Sequence, residues 1–281
     1  MRLSRATATC GLLAAACRAD DTSGCDKALH IIVARGSTEA PGVGRIGVVA
    51  GNVSLALPGS SIAAVDYPAT FEDYIGSESA GVLGITQLLA NYTKQCPNGK
   101  VALLGYSQGG QAVIDTLCGH SEYPFNDTSD LGDSYKANIV AAVTFGDPSH
   151  VVAAPWNAGT SKKDGIFQRK NLTACEPYTD IIKGWCDTGD IYCDSGNVTG
   201  VHGSYFANYT KDATNFIVGK YNASLSTTGP NATITTSSPT PSSTASSTGP
   251  KTTGNAGAAV RPSTVTAGGA LVLAFLYAAF V

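Results

Sequence analysis

The sequence predicts an α/β fold, a central parallel sheet covered by helices on both faces, on three observations. Short, wholly apolar runs alternate with segments whose apolar residues recur at the 3.6-residue period of a helix. Each apolar run ends in a turn-rich stretch, as buried strands do. One such run leads through Gly105-Tyr106-Ser107-Gln108-Gly109 straight into a helical pattern.

The strands and helices follow in order. His30 to Ala34 is the first apolar run, and Ile46, Val49, Val53 and Leu57 form the stripe of the first helix. Ser61 to Val65 is the second run, read as another buried strand. Val82, Ile85, Leu88, Leu89 and Tyr92 mark the second helix, which should stop at Cys96-Pro97-Asn98-Gly99. Val101 to Leu104 is the third strand, followed by a helix over Gln111 to Leu117, and Ile139 to Val143 is the fourth. The last helix is expected from Tyr205 to Tyr221 with Phe206, Tyr209, Ala213, Phe216 and Ile217 inward. Strand, helix, strand alternation with right-handed crossovers makes an open sheet with two covered faces.

Composition sets the limits of this unit. Of 281 residues 43% are hydrophobic, enough for a sizeable core. Only 14% are charged, and 18 Lys+Arg stand against 21 Asp+Glu, a net charge of -3. That balance excludes nucleic acid as a partner held by phosphate neutralisation. No internal apolar run approaches the roughly 20 residues of a membrane span, so a multi-span protein is excluded too.

Both ends read as processing signals. Residues 1–19 combine a basic start, Arg2 and Arg5, with an apolar stretch from Ala6 to Ala16, the pattern of a secretory signal peptide. Between Leu225 and Gly254, 17 of 30 residues are Ser or Thr, four are Pro, and Lys251 is the only charge. Such a stretch cannot bury a core, and residues 223–254 are read as an extended, O-glycosylated stalk. Residues 255–281 end in an uncharged tail from Gly268 to Val281, preceded by small residues at Gly254 to Gly257 and a polar spacer. This is the pattern of a glycosylphosphatidylinositol attachment signal with its site at Gly254 or Asn255. The folded unit is therefore residues 20–222, expected to be monomeric, extracellular and tied to the membrane only through that anchor.

Cysteine usage agrees with export. Cys10 and Cys17 fall in the signal, leaving Cys25, Cys96, Cys118, Cys175, Cys186 and Cys193, an even six, and three disulfides are expected. No Cys-x-x-Cys pair or zinc-spaced His/Cys cluster is present, so neither a metal nor a cofactor is expected. Asn-x-Ser/Thr acceptors stand at Asn52, Asn91, Asn126, Asn171, Asn197, Asn208, Asn222 and Asn231.

The chemistry centres on Ser107. G-x-S-x-G between a strand and a helix is a nucleophile elbow: a turn so tight that side chains at the flanking glycines would collide with neighbouring backbone. The turn aims the serine at a helix N-terminus, where backbone N-H groups favour developing negative charge. A serine hydroxyl needs an imidazole base and an acid to orient it, in the chain order Ser, acid, His. Among His30, His120, His150 and His202, only His202 lies late in the chain, in the loop Gly200 to Gly203 before the last helix, and it is the expected base, with His150 the alternative. For the acid, Asp190 sits between Cys186 and Cys193, which suggest a small disulfide-closed loop. Asp187 and Asp194 are read as solvated loop carboxylates, and Asp147 as a structural cap. An oxyanion hole needs two N-H donors, here Gln108 after the nucleophile and Ser37 in the loop leaving the first strand. Arg35 and Glu39 are read as an ion pair holding that loop.

Ala34-Arg35-Gly36-Ser37, Gly105 to Gly110, and the cysteine-bracketed Asp190 followed by His202 together resemble the fungal cutinase and acetylxylan esterase family, over about Cys25 to Tyr221. Asp66-Tyr67-Pro68-Ala69, Phe145 to Pro148 and Leu117-Cys118-Gly119 are closer to its acetylxylan esterase branch. The resemblance implies a three-layer, lidless α/β-hydrolase-type sandwich with Ser107, Asp190 and His202 as triad and Ser37 and Gln108 at the oxyanion hole. It also implies disulfides Cys25 to Cys96, Cys118 to Cys175 and Cys186 to Cys193. The implied activity is a serine carboxylesterase acting on acetyl esters of polysaccharide. The alternatives are a cutinase acting on longer-chain polyesters and a non-catalytic glycosylated cell-wall protein, against which the complete Ser, Asp, His set argues. Tyr106, Trp156, Trp185, Tyr192 and Tyr205 are weighed as a sugar-stacking platform against core packing, and packing is favoured.

Overall fold

The computed structural model describes residues 24–121 and 124–226. Residues 1–19, read as a signal peptide, residues 227–254 of the 223–254 segment read as a stalk, and residues 255–281, read as an anchor signal, lie outside the described residues. Six strands form one parallel sheet in the order β2-β1-β3-β4-β6-β5: β1 (Leu29–Ala34), β2 (Ser61–Ala64), β3 (Lys100–Tyr106), β4 (Ile139–Phe145), β5 (Asn157–Ala158) and β6 (Ile182–Trp185). The helices are α1 (Gly47–Ala56), α2 (Tyr74–Gln95), α3 (Gln108–Cys118), α4 (Thr199–His202) and α5 (Tyr205–Ser226). α1 and α5 pack together on one face of the sheet, α2 and α3 on the other.

Each face has its own core. Ile31, Val33, Leu104 and Val143 point toward α1 and α5, where Val49, Val53, Ala213 and Ile217 meet them. Ile32, Leu103 and Ala142 point the other way, toward Val82, Ile85, Leu89, Val113 and Leu117 of α2 and α3. This division follows from the period of two along each strand, which sends successive side chains to opposite faces. β3 and β4, central in the sheet, are buried almost throughout, which is why they read as unbroken apolar runs.

Three elements differ from the sequence expectation. β2 is a sheet edge rather than a buried strand: its burial alternates and Ile62 is 40% exposed, because only β1 pairs with it. β5 and β6 carry no apolar run that marks them, being two and four residues long with Lys183 and Gly184 inside β6. They exist because β6 adds to β4 in parallel register, Phe145 opposite Trp185. The last helix continues past Tyr221 to Ser226, its final turns supported by Ser224 and Ser226 hydroxyls donating to the Tyr221 and Asn222 carbonyls.

The three disulfides join Cys25 to Cys96, Cys118 to Cys175 and Cys186 to Cys193. The first ties the segment before β1 to the end of α2, the second ties α3 to the segment before β6, and the third closes a loop of the site. The sequon asparagines from Asn52 to Asn222 are all exposed. Among the described residues no helix is long and apolar enough to cross a membrane.

Candidate active site

The site lies where β1, β3, β4 and β6 end, the carboxyl edge of the sheet. Ser107 occupies the turn between β3 and α3 with φ 53° and ψ -122°, a conformation that costs a non-glycine residue on the order of 1–3 kcal/mol. The surroundings enforce it. Ser107 N-H donates to the Phe145 carbonyl at 2.8 Å, and a Cβ at Gly105 would lie 2.2 Å from the Gly109 carbonyl oxygen. A Cβ at Gly109 would lie 2.2 Å from the Ala34 carbonyl oxygen at the end of β1, so α3 can approach the sheet only with glycine there.

His202, in α4, brings Nε2 to 2.9 Å from Ser107 Oγ, and its Nδ1 lies 2.8 Å from Asp190 Oδ2. The imidazole is held at its own backbone, where the Tyr106 hydroxyl donates to the His202 carbonyl at 3.0 Å. Asp190 is fully buried, and its second oxygen accepts the backbone N-H groups of Tyr192 and Cys193 at 2.7 and 3.0 Å. Burial works against its charge, but bonding to His202, the imidazole's charge, the Tyr205 hydroxyl and the Tyr192 N-H outweigh it and hold the carboxyl below its ordinary range.

Two neighbouring acids that read as solvated loop carboxylates are buried parts of the frame. Asp194, 1% exposed, accepts the Ser161 hydroxyl and the N-H groups of Lys162, Lys163 and Gly189. Burial opposes its charge, but those bonds hold its carboxyl low. Asp187 accepts the Thr160 N-H at 3.0 Å and the Tyr209 hydroxyl at 2.8 Å. Loop carboxylates of this kind replace a strand ladder with side-chain acceptors, and chain order alone gives no sign of which N-H groups they will meet.

The other candidates fall elsewhere. His150 lines a small cavity with Asp147, Arg169 and Asn157, its Nε2 without a partner, and burial lowers its pKa. Asp147 accepts the N-H and hydroxyl of Ser149 at 2.7 and 2.8 Å, closing the turn after β4, and burial pushes its carboxyl up to about 6.

Ser37 follows β1 on the loop facing the elbow, and a Cβ at the adjacent Gly36 would lie 3.4 Å from Ser107 Cβ. Its hydroxyl is buried without a hydrogen-bond partner. Gln108 opens α3, where the first backbone N-H groups have no intrahelical acceptor. Its side chain is fully engaged, accepting the Ser77 hydroxyl at 2.9 Å and donating to the Thr70 and Tyr74 carbonyls at 3.1 and 3.3 Å. The loop that carries Ser37 is not held by an Arg35–Glu39 ion pair. Arg35 donates to the Glu39 carbonyl and to those of Tyr67 and Pro68, while the Glu39 carboxylate accepts the Gly36 and Arg45 N-H groups.

The aromatic residues weighed as a platform divide: Trp185 and Tyr205 pack in the core, half-buried Trp156 lines the small cavity with His150, and Tyr106 and Tyr192 are packed yet border a cleft beside His202. Tyr106, Trp185, Tyr192 and Tyr205 are at most 7% exposed. Tyr205 stacks on Phe145, and Trp185 meets Phe145 edge-on at 5.5 Å. Residues that sequence reasoning missed are Arg45, whose guanidinium donates to the Gly203 carbonyl across 158 positions, and Phe71, which stacks on Tyr192 at 6.2 Å.

Comparison with known proteins places this geometry. A family model described as Cutinase matches residues 25–221. Acetylxylan esterase 2 of Talaromyces purpureogenus is 32% identical over 203 residues, covering 69% of this chain and 86% of that protein. Cutinase 11 of Verticillium dahliae is 32% identical over 205 residues, covering 69% of each. The solved catalytic core domain of acetyl xylan esterase from Trichoderma reesei superposes with a TM-score of 0.65 at 31% identity, over 70% of this chain and 99% of that one. An elbow serine in hydrogen-bond reach of an imidazole, on a six-stranded parallel sheet shared with these relatives, leaves one assignment: the chain belongs to the cutinase family of carboxylic ester hydrolases.

Proposed function

We propose that the chain removes acetyl groups from polysaccharide through an acyl-enzyme on Ser107. In this reading His202 Nε2 takes the proton as Ser107 Oγ attacks the ester carbonyl, and Asp190 keeps Nδ1-H aligned and stabilises the imidazolium. The N-H groups of Gln108 and Ser37 receive the oxyanion, joined by the Ser37 hydroxyl, which has no other partner. Collapse expels the sugar hydroxyl with the proton from His202, and water then attacks the acetyl-serine with His202 again as base.

The observation that supports acetate over longer acyl chains is the character of the cleft beside His202. Its volume is about 270 Å³, and Arg45, Tyr106, Tyr192 and Thr199 line it beside His202, with Ile191 its one aliphatic side chain. The Tyr192 ring stands 4.5 Å from the His202 ring, edge-on to it. Each buried methylene is worth about 0.8 kcal/mol, so a long chain gains little from an open cleft that offers one aliphatic contact and leaves the rest of the chain in water. Relative kcat/KM for 4-nitrophenyl acetate and palmitate tests this: acetate should be preferred, and a palmitate preference would move the substrate to cutin-like polyesters.

The same proposal makes the chain a monomeric extracellular enzyme, its esterase domain starting at residue 20 and ending with α5 at Ser226 rather than at 222, on a stalk that runs to residue 254, with the anchor joined at Gly254 or Asn255. The three disulfides fit an extracellular protein. Release from membranes by a phosphatidylinositol-specific phospholipase is expected, and recovery of a peptide from Leu271 to Val281 in the mature protein would overturn the anchor.

A further inference from the structure

Arg45 is the permanently charged side chain among the described residues that wall the cleft beside His202. Several contacts fix it in place. Its Nη2 donates to the Gly203 carbonyl at 2.7 Å, next to His202, and its guanidinium lies 4.3 Å above the Phe206 ring. Its backbone N-H donates to Glu39 Oε1 at 3.0 Å, which ties its Cα to the loop that carries Ser37. The side chain is exposed, and among the described residues no carboxylate oxygen comes within ion-pair distance of the guanidinium.

A guanidinium has five N-H donors, and one of them is used on Gly203. An exposed cation held by stacking on Phe206 at the wall of the cleft, with no acid paired to it, is arranged for an anionic group on the ligand. The fork geometry suits a carboxylate, to which paired N-H donors bind with more strength and direction than a lysine would. Nothing in the ester bond or in the triad chemistry requires this charge, because Ser107, His202 and Asp190 are complete without it.

We propose that Arg45 binds a carboxylate carried by the substrate, so that the enzyme prefers acidic esters: an acetylated polysaccharide bearing hexuronic acids, or an acyl group that itself ends in a carboxylate. The inference rests on the esterase reading and names the substrate class within it. Because the group lies beside His202, it acts on ester-containing segments at the reacting centre and not on distant polymer.

The experiment compares matched pairs: an acetylated oligosaccharide with and without a uronic acid, and 4-nitrophenyl hemisuccinate against 4-nitrophenyl acetate. In the wild-type enzyme kcat/KM should favour the acidic member of one pair by about three- to tenfold, the range of an accessible charge-assisted contact, and mainly through KM. The pair that shows the preference identifies which side of the ester bears the carboxylate. Raising the ionic strength should erase the preference, a measurement that needs no variant. Arg45→Gln should reduce the ratio to about one, and Arg45→Lys should restore part of it. No acidic preference in either pair, or a preference insensitive to both salt and Arg45→Gln, overturns the proposal. Failure to turn over any of the four esters would instead overturn the esterase reading, so the two failures are distinguishable.

Discussion

The hydroxyl of Tyr205 donates to Oδ2 of Asp190 at 2.6 Å, the same oxygen that lies 2.8 Å from Nδ1 of His202. Tyr205 is fully buried at the start of α5, and its hydroxyl also accepts the Asp187 N-H at 3.1 Å. One phenol therefore couples the loop closed by Cys186 and Cys193 to the helix that follows His202. A hydrogen bond to a charged group contributes about 1.5–3 kcal/mol, so Tyr205→Phe should lower kcat about tenfold or more by loosening the carboxylate that orients the imidazole. Stopped-time assays of kcat and KM check this: a loss confined to KM would contradict an orienting role.

Removing the Ser107 hydroxyl, the proposed nucleophile, should have a larger and cleaner effect. Ser107→Ala deletes one hydroxyl from a turn held by its own N-H bond to Phe145 and by close glycine contacts, so the fold should persist. Loss of a serine nucleophile costs about a factor of 10⁶ in turnover. Retention of more than about a tenth of wild-type ester hydrolysis by a variant with an unchanged circular dichroism spectrum would exclude Ser107 as nucleophile.

Activity should rise with pH on one ionisation. The base must be neutral to accept the serine proton, whereas Asp190, its carboxyl held below the ordinary range, is already anionic throughout and adds no second limb. His202→Gln should abolish both the activity and the limb. His150→Gln, in a cavity apart from Ser107, should leave the profile in place, and the opposite outcome would exchange the two residues.

Stability should run the other way with pH. Glu78, 1% exposed, has its carboxyl pushed up to about 9, first by burial and then by the neighbouring Asp115 carboxylate. A glutamate in the unfolded chain titrates near about 4.3, so between that value and about 9 the folded protein holds a proton that the unfolded chain has lost. Stability contributed in acid is therefore lost as pH rises through this window. Asp147, pushed up to about 6, adds the same sign only at its acid end. Urea midpoints should fall from pH 6 to pH 9 in the wild type and much less in Glu78→Gln, and equal slopes would contradict the assignment.

The small disulfide ring is expected to matter more for rate than for folding. Closing so short a loop contributes roughly 2–3 kcal/mol of chain entropy. Cys186→Ala with Cys193→Ala also frees the segment whose N-H groups bind Asp190, so kcat should fall by more than tenfold at temperatures where the fold remains intact by near-ultraviolet dichroism. Unchanged kcat would mean that Tyr205 and the backbone hold Asp190 without the bridge.

The sequence by itself determined the features whose physics is local. The Gly105 to Gly109 turn is written in five residues because steric collision at each glycine is with backbone a few positions away or at the next strand end. β1, β3 and β4 were legible because central parallel strands are buried on both faces, and α1, α2 and α5 because one stripe of each meets the sheet. The late position of His202 in the chain and the cysteine bracket around Asp190 were visible in the same way. Only the tertiary structure decided what depends on partners far away in sequence. β6 is a strand because β4 offers it an edge, and β2 is half exposed because nothing pairs with its outer side. Asp194 and Asp187 became buried framework because loops 27 to 33 residues away deliver N-H or hydroxyl groups to them. Arg45 borders the cleft because Gly203 and Phe206, 158 and more positions later in the sequence, receive it, and no local pattern of charge or period encodes such a contact.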